Sequence, residues 1–275
     1  MNGTPHGSPQ TRSLSQLRHR LCAWRGAGGH ADRAFVPGAV PAQRPRRNGR
    51  VIRSAALIAA LGLLLASCQP AAQASEKAVE APAAKRIAKE KPGKKVAIFA
   101  GGCFWGVEGV FSHVKGVSSA VSGYHGGSAR TANYDMVSAG TTEHAEAVRI
   151  VYDPAVVRYD ELLRIFFSVT ADPTLRNRQG PDVGAQYRAA LVPIGAEQRA
   201  VAQAYLAQME ASGVWKKPVV TGIEPYRAFH KAEDYHQDFM LKNPRHGYIV
   251  RWDAPKVRAL KVLYPDHFRA SFQRN

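Results

Sequence analysis

The sequence predicts an α+β fold, a two-layer sandwich related to the ferredoxin-like plan, with an irregular C-terminal segment. Short apolar runs bounded by Gly, Pro, Asn or Asp indicate strands, and apolar residues spaced three and four apart indicate amphipathic helices. These strands and helices interleave along roughly 150 residues, which is enough chain for one substantial core. Short strands that alternate with helices in this order fit one helical layer packed on one sheet.

The first half of the folded region begins with an apolar strand at 96–100. A helix follows over 104–114, where Phe and Val recur on one helical face. A second strand is predicted at 117–124, and the Ser-, Thr-, Asn- and Gly-rich residues 128–143 predict an ordered loop. A third strand spans 143–152 and ends at an Asp-Pro pair.

The second half continues the alternation. The pattern predicts, in order, a helix at 159–169, a polar loop at 170–186, a strand at 187–194, a helix at 197–211, a strand at 219–223, an aromatic-rich helix at 226–240, an extended segment at 248–251 and a short helix at 257–263. The pattern weakens beyond the Asn-Pro pair near residue 243, which makes the C-terminal segment irregular.

Charge is concentrated at one end of the 275-residue chain, whose formal net charge is +17. Residues 1–100 carry 17 Lys and Arg against 4 Asp and Glu, whereas residues 101–275 carry 21 against 17. A basic chain suggests nucleic acid, but this charge lies in a leader and linker without a recognition motif. We therefore expect no nucleic-acid partner.

The N-terminal residues predict a leader, a signal and a tether. Residues 1–50 are rich in Arg, Pro and Gly and predict disorder. Residues 51–68 combine one Arg, about a dozen apolar residues and small residues, the composition of a secretory signal too short for a membrane span. Residues 69–95 predict a flexible linker, and the folded domain is expected over 96–275. We hypothesise that Val51 is the true start and residues 1–50 an over-extended gene model.

The signal ends in Leu65-Ala66-Ser67-Cys68, which resembles a bacterial lipobox. This resemblance implies that Cys68 is lipidated and becomes the mature N-terminus, anchoring the protein to a membrane. The expected location is the cell envelope, facing the periplasm. Gln69 is not the aspartate that often marks inner-membrane retention, so the outer membrane is preferred. The alternative is an ordinary signal peptide that ends in cysteine.

Cys103 is the strongest candidate for chemistry. It follows Gly101-Gly102, precedes Phe104-Trp105 and stands where an apolar strand gives way to a helix. A helix N-terminus exposes unpaired backbone N–H groups and a positive dipole end, which favour a thiolate. The alternative is a buried, inert cysteine.

Glu146 is the second candidate. In the predicted third strand it shares a face with Val148, Ile150 and Tyr152. A carboxylate on an apolar face is unfavourable when ionised, so we expect Glu146 to stay protonated near neutral pH and to donate a proton as a general acid. The alternative is a glutamate at the strand edge that turns to solvent.

Five short motifs occur in the order Gly102-Cys103-Phe104-Trp105-Gly106, Gly123-Tyr124-His125-Gly126-Gly127, His144-Ala145-Glu146-Ala147-Val148, Gln186-Tyr187-Arg188 and Ala232-Glu233-Asp234-Tyr235-His236-Gln237. Taken together, they resemble the A-type peptide methionine sulfoxide reductases. The resemblance extends from about residue 96 to 248, and the first motif is its most specific part. It implies an α+β sandwich that reduces the S epimer of methionine sulfoxide, free or in proteins.

The resemblance also implies roles. Cys103 matches the nucleophile, and Phe104 and Trp105 match the aromatic wall that receives the substrate's methyl group. Glu146 matches the acid that protonates the sulfoxide oxygen. In addition, Tyr134 and Tyr187 match the phenols that hold this oxygen, and Asp182 matches a carboxylate that assists the substrate or reductant step. Alternatively, Tyr134 and Tyr187 are ordinary half-buried tyrosines, and Asp182 is a turn residue.

The predicted reaction indicates which partners the protein needs. A sulfoxide sulfur becomes electrophilic when its oxygen is protonated, so thiolate attack releases methionine and leaves a sulfenic acid. This requires no metal or organic cofactor, and the sequence contains no CxxC or helical zinc-type His pair. The expected partners are proteins with methionine sulfoxide and a reductant, which is thioredoxin, glutaredoxin or another thiol. A monomer is expected.

Two other classes make different predictions. A cysteine hydrolase or acyltransferase would place His144 or His236 beside the thiol and would need an oxyanion hole. A non-catalytic envelope lipoprotein would merely pack Cys103 in its core. The chain also departs from many family relatives, because residues 104–275 contain no cysteine that could attack the sulfenic acid. Recycling is therefore expected to use an external thiol.

Overall fold

The computed structural model describes residues 78–275. The predicted leader, the signal with Cys68 and the start of the linker lie outside the described residues. None of the helices within 78–275 is long and apolar enough to cross a membrane. The region contains one mixed α and β domain, so the predicted α+β class is confirmed.

A six-stranded sheet forms the centre of this domain. Its strands in chain order are β1 (Lys95–Gly101), β2 (Val117–His125), β3 (Ala145–Tyr152), β6 (Ala189–Val192), β7 (Gly222–Ile223) and β8 (Phe229–Lys231). Their order across the sheet is β7-β6-β1-β3-β2-β8, and every neighbouring pair is antiparallel except β6 and β7. Two short strands, β4 (Arg178–Gln179) and β5 (Asp182–Val183), form a separate hairpin.

Six α-helices connect or cover these strands. They are α1 (Phe104–Phe111), α2 (Tyr134–Ser138), α3 (Tyr159–Ile165), α4 (Ala196–Ser212), α5 (Phe239–Lys242) and α6 (Ala254–Leu263). A π-helical turn continues α3 through Phe166–Thr170, a second one precedes α6 at Ile249–Asp253, and 3₁₀ turns occupy Ala129–Thr131 and Ala185–Tyr187.

The core lies between the sheet and helices α1 and α3. The Phe99 ring, at 0% exposure, contacts the rings of Phe111, Tyr159 and Phe166 at centroid distances of 5.0–5.8 Å. The opposite face of the sheet carries a cluster of apolar residues that includes Ala100. Phe229 from β8 is one of the partly buried residues that pack against this cluster. This packing fixes the β1–α1 junction, where Cys103 lies.

Two predicted elements in the C-terminal third are wrong. The expected helix at 226–240 is instead β8, a run of turns and the short α5. It is replaced because the Gln237 side chain accepts the Ser122 N–H at 3.1 Å and donates to the Ser122 carbonyl at 3.0 Å, which attaches this segment to β2. The expected extended segment at 248–251 is the start of a π-helical turn.

The two regions predicted as loops contain short elements. Residues 128–143 include α2, whose first turn is capped by Asn133 accepting the Met136 N–H at 3.1 Å. Residues 170–186 include the β4–β5 hairpin. Both elements are too short for a periodic sequence signal, yet each carries a candidate site residue.

Residues 78–94 have no regular secondary structure but lie along α3 and α4. The Ala81 N–H donates to Ser168 Oγ at 2.9 Å, and the Ala88 N–H donates to Asp160 Oδ1 at 2.9 Å. Glu90 accepts the Tyr159 N–H at 3.0 Å. The described part of the predicted linker is therefore bound to the domain, because its backbone finds side-chain partners that composition alone does not reveal.

Helix α1 is closely packed on the face it turns toward the C-terminal segment. A Cβ added at Gly106 would overlap Oδ1 of Asp253, which is 0% exposed, and would lie 2.9 Å from Cγ. A Cβ at Gly109 would overlap the terminal methyl group of Met240 and lie 2.8 Å from Sδ. One contact is with a buried carboxyl group and the other with the end of a flexible side chain.

Candidate active site

Cys103 lies at the junction between β1 and α1 and is 1% exposed. Gly102 before it has φ +84°, in the left-handed region that favours glycine. A Cβ at Gly102 would also lie 2.5 Å from Cβ of Gln179, so the β4–β5 hairpin approaches this turn closely. Cys103 itself occupies the N-cap position of α1. The Cys103 side chain is therefore attached at the N-terminal end of the helix, which favours negative charge.

Glu146 lies on β3 beside this helix start. It is 0% exposed, and its Oε2 accepts the backbone N–H of Phe104 at 2.9 Å. Val148 and Ile150, which share its strand face, are also 0% exposed. The hydrogen bond places the carboxyl group beside the residue that follows Cys103 in the chain.

Trp105 is held in a buried aromatic cluster and is 3% exposed. Its ring stacks on Phe239 at a centroid distance of 3.7 Å and an interplanar angle of 5°. Its Nε1–H donates to Nδ1 of His236 at 3.1 Å. The rings of Tyr248 and His246 meet it edge-on at 5.9 and 6.1 Å. Phe104 is fully buried and lies 4.9 Å from the His236 ring.

The remaining predicted site residues come from separate elements. Tyr134 begins α2, is 6% exposed and lies 4.6 Å from the His236 ring. Tyr187 ends the 3₁₀ turn that lies against β3, and it is 5% exposed. Asp182 lies on β5 at 7% exposure. Their functional roles stay predictions, as does lipidation of Cys68, which lies outside the described residues.

Tyr248 is a site residue that sequence reasoning missed. Its phenol donates a short hydrogen bond to Asp182 Oδ2, and its ring contacts Trp105. Burial, followed by the negative charges of Cys103, Asp253 and Asp182, raises the pKa of Tyr248 far above its usual range. The phenol therefore keeps its proton at neutral pH. Its position depends on the π-helical turn that follows, for which the sequence gives no periodic signal.

The Glu233-to-His236 segment also differs from the helix that the sequence predicts at 226–240. The segment is a series of turns, and His236 is 1% exposed. Glu233 accepts two hydrogen bonds, from the Tyr124 hydroxyl at 2.8 Å and from the Tyr134 N–H at 2.9 Å. The buried side of this segment thus contacts the site.

The two histidines proposed for a hydrolase have other partners. His144 Nδ1 accepts the Gly127 N–H at 3.2 Å, and its Nε2 lies 3.0 Å from the Ser128 carbonyl oxygen. His236 Nδ1 is occupied by Trp105. Among residues 78–275, no group of three His, Cys, Asp or Glu side chains is arranged to hold a metal ion. What the geometry offers is a buried thiol at a helix start, a buried carboxyl group, phenols and an apolar wall.

Several known proteins have sequences similar to this chain, and they are all named for one reaction. The family described as peptide methionine sulfoxide reductase matches residues 95–265. Peptide methionine sulfoxide reductase MsrA 2 of Mesorhizobium japonicum is 52% identical over 177 residues, which cover 64% of this chain and 91% of the relative. Its namesake from a Synechocystis strain is 51% identical over 178 residues, covering 65% and 83%.

One solved structure has a similar fold. Reduced Mxr1 from Saccharomyces cerevisiae superimposes with a TM-score of 0.50 and 32% sequence identity, covering 59% of this chain and 92% of that one. The family match, at residues 95–265, begins where β1 begins.

Proposed function

This chain belongs to the peptide methionine sulfoxide reductase family, and we propose that it reduces methionine-S-sulfoxide through a sulfenic acid on Cys103. The family membership makes the domain an oxidoreductase that acts on methionine sulfoxide. The observation that supports the mechanism is the juxtaposition of Cys103, at the start of α1, with the buried Glu146 carboxyl group on the Phe104 N–H at 2.9 Å.

The reduction step transfers one oxygen atom. The Cys103 thiolate attacks the sulfoxide sulfur while Glu146 gives its proton to the oxygen. This attack forms a bond between the two sulfur atoms and leaves a hydroxyl group on the substrate sulfur. The hydroxyl group then moves to the Cys103 sulfur as the sulfur–sulfur bond and the substrate's sulfur–oxygen bond break, so methionine leaves as the sulfide and Cys103 carries S–OH. Methionine sulfur gains two electrons and Cys103 sulfur loses them. Tyr134 and Tyr187 donate hydrogen bonds to the oxygen, and Phe104 with Trp105 receives the methyl group.

The recycling step uses two external thiols. Residues 104–275 contain no cysteine, so none of them can attack the sulfenic acid. A first thiol attacks the Cys103 sulfur, water leaves and a mixed disulfide forms. A second thiol then releases Cys103 and becomes part of an external disulfide. Thioredoxin, glutaredoxin and small thiols all have this chemistry, and Asp182, which accepts the Tyr248 hydrogen bond, assists the substrate or reductant step.

Turnover of the purified full chain tests this function. We expect methionine-S-sulfoxide, free and in a peptide, to be reduced with a thiol donor and the R epimer to be left unchanged. Cys103→Ser should abolish turnover without changing the circular dichroism spectrum. Comparison of thioredoxin, glutaredoxin and glutathione identifies the donor. Wild-type turnover by Cys103→Ser would contradict the nucleophile assignment.

We propose in addition that a monomeric enzyme repairs oxidised proteins of the bacterial cell envelope from a lipid anchor on Cys68. The support is the Leu65-Ala66-Ser67-Cys68 sequence after an apolar run. Metabolic labelling with palmitate should tag the protein, and Cys68→Ala should remove the tag. A label that persists in this variant would contradict the anchor, and recovery in the cytoplasm would contradict the location.

A further inference from the structure

His236 occupies the centre of the aromatic site although the proposed mechanism gives it no step. Its ring lies 4.9 Å from Phe104, 4.6 Å from Tyr134 and 5.7 Å from Trp105. It is 1% exposed. One imidazole therefore contacts three of the side chains that form the substrate site.

The hydrogen bond between Trp105 and His236 has only one direction. An indole Nε1–H donates and cannot accept, so Nδ1 of His236 must be the acceptor and the ring proton must lie on Nε2. Burial lowers the pKa of His236 to about 4, which keeps the ring neutral at neutral pH. An acceptor nitrogen held in this way orients a neighbour and does not transfer protons.

Glu233 supports the same arrangement from the other side. Its Oε1 accepts the Tyr134 N–H at 2.9 Å, its Oε2 accepts the Tyr124 hydroxyl at 2.8 Å, and that oxygen lies 3.9 Å from His236 Nε2. The start of α2, which carries Tyr134, is thereby tied to the segment that carries His236.

Stacking alone does not fix the Trp105 indole. Phe239 lies parallel to it at 3.7 Å, which sets the tilt of the ring but permits sliding and rotation in the plane. A directional hydrogen bond at the ring edge removes this freedom. The position of the wall against the substrate then depends on Nδ1 of His236.

We propose that His236 is a positioning residue that sets the orientation of Trp105 and so the size of the pocket for the methyl group on the substrate sulfur. This inference rests on the proposed role of Trp105 in receiving that group. His236 itself does not touch the reacting atoms. A misplacement of about 1 Å at such a wall lowers a rate by about 100-fold.

The test compares variants that keep or lose the acceptor. His236→Phe keeps a ring of similar size without an acceptor. His236→Asn places an oxygen near the position of Nδ1, whereas His236→Gln places it near Nε2. His113→Phe is a matched control, because His113 is also stacked, on Phe268 at 5.7 Å, with Nδ1 3.0 Å from the Arg269 carbonyl oxygen.

Three quantities are measured on the full chain: kcat/KM for methionine-S-sulfoxide, the same constant for the S-ethyl analogue, and the rate at which iodoacetamide alkylates Cys103. For His236→Phe we expect kcat/KM for the methyl substrate to fall by about 10- to 100-fold and the methyl-to-ethyl ratio to fall several-fold. The alkylation rate should stay within about twofold. His236→Asn should recover most of the ratio, and His113→Phe should behave as wild type.

An unchanged methyl-to-ethyl ratio in His236→Phe would overturn the inference, as would equal ratios in the Asn and Gln variants. If the Phe variant does not fold, the Asn and Gln pair decides the question. Failure of the proposed function is distinct, because the wild-type chain itself would then not reduce methionine-S-sulfoxide.

Discussion

Replacement of Glu108 by Gln should change how stability depends on pH. Glu108 lies on α1, five residues beyond Cys103, and is 1% exposed. Burial, reinforced by the nearby Asp238 charge and opposed by the hydrogen bond from the Asp238 N–H, raises the pKa of Glu108 from 4.5 to about 8. Glutamine has nearly the same shape and does not titrate.

The expected magnitude comes from the difference between the folded and unfolded pKa. Between pH 4.5 and 8 the folded protein keeps the Glu108 proton and the unfolded chain loses it, so the free energy of unfolding falls as pH rises. Each pH unit contributes about 1.4 kcal/mol. From pH 4.5 to 7 the wild type should therefore lose on the order of 3 kcal/mol that Glu108→Gln keeps.

Urea unfolding of both proteins at several pH values between 4.5 and 7 measures this difference. Subtracting the free energy of unfolding of one protein from that of the other at each pH removes the contributions of the groups that titrate in both. Asp234→Asn is the control, because Asp234 is exposed and its pKa is lowered by the Lys231 hydrogen bond at 2.7 Å. Its contribution is lost only below its unfolded pKa of 3.8, so its difference should be flat over this range. A flat difference for Glu108→Gln would show that Glu108 does not keep its proton in the folded protein over this range.

Three further predictions concern the site and the helix that supports it. Glu146→Gln should fold normally but lower the rate of sulfoxide reduction by about 10²–10⁴-fold and remove the acid from the pH–rate profile; an unchanged profile would contradict its role. Tyr248→Phe should lower kcat/KM by about tenfold. The control Tyr205→Phe removes a buried hydroxyl group bonded to a backbone carbonyl and should leave kcat/KM unchanged. Equal effects of the two substitutions in activity assays would count against a role for Tyr248. Gly106→Ala should destabilise the domain by about 1–3 kcal/mol in urea unfolding, and Gly109→Ala by less than about 1 kcal/mol, because a flexible methionine end can move; equal losses would show that both contacts are equally rigid.

The sequence predicted those parts of the fold in which local pattern and tertiary packing agree. Strands β1, β2 and β3 and helix α4 begin and end within one or two residues of their predicted bounds. The placement of Glu146 on a buried strand face also follows from period-two alternation, and its carboxyl group is 0% exposed. Such predictions need only the residue types along one strand.

The sequence did not predict the C-terminal side of the site, because its structure depends on distant partners. The segment at 226–240 has aromatic spacing typical of a helix, but Gln237 pairs with the Ser122 backbone and Asp238 adopts φ +55°. Tyr248 joins the site through Asp182, which is 66 residues away in sequence. A hydrogen bond over that separation has no local signature.

The predicted tether illustrates the same limit. Its Ala-, Lys-, Glu- and Pro-rich composition is typical of a flexible linker, yet Tyr205 donates to the Pro82 carbonyl at 2.8 Å and the Ala81 side chain is fully buried. Composition reports what a segment can do alone. It does not show whether neighbouring helices provide a groove to which the segment binds.

Reaction of the full chain with one equivalent of methionine-S-sulfoxide and no reductant tests whether Cys103 takes up the oxygen of the substrate. We expect one equivalent of methionine, one sulfenic acid on Cys103 trapped by dimedone and located by mass spectrometry, and neither product from the R epimer. An intramolecular disulfide in place of the dimedone adduct, or release of methionine from an enzyme whose Cys103 stays a free thiol, would contradict it.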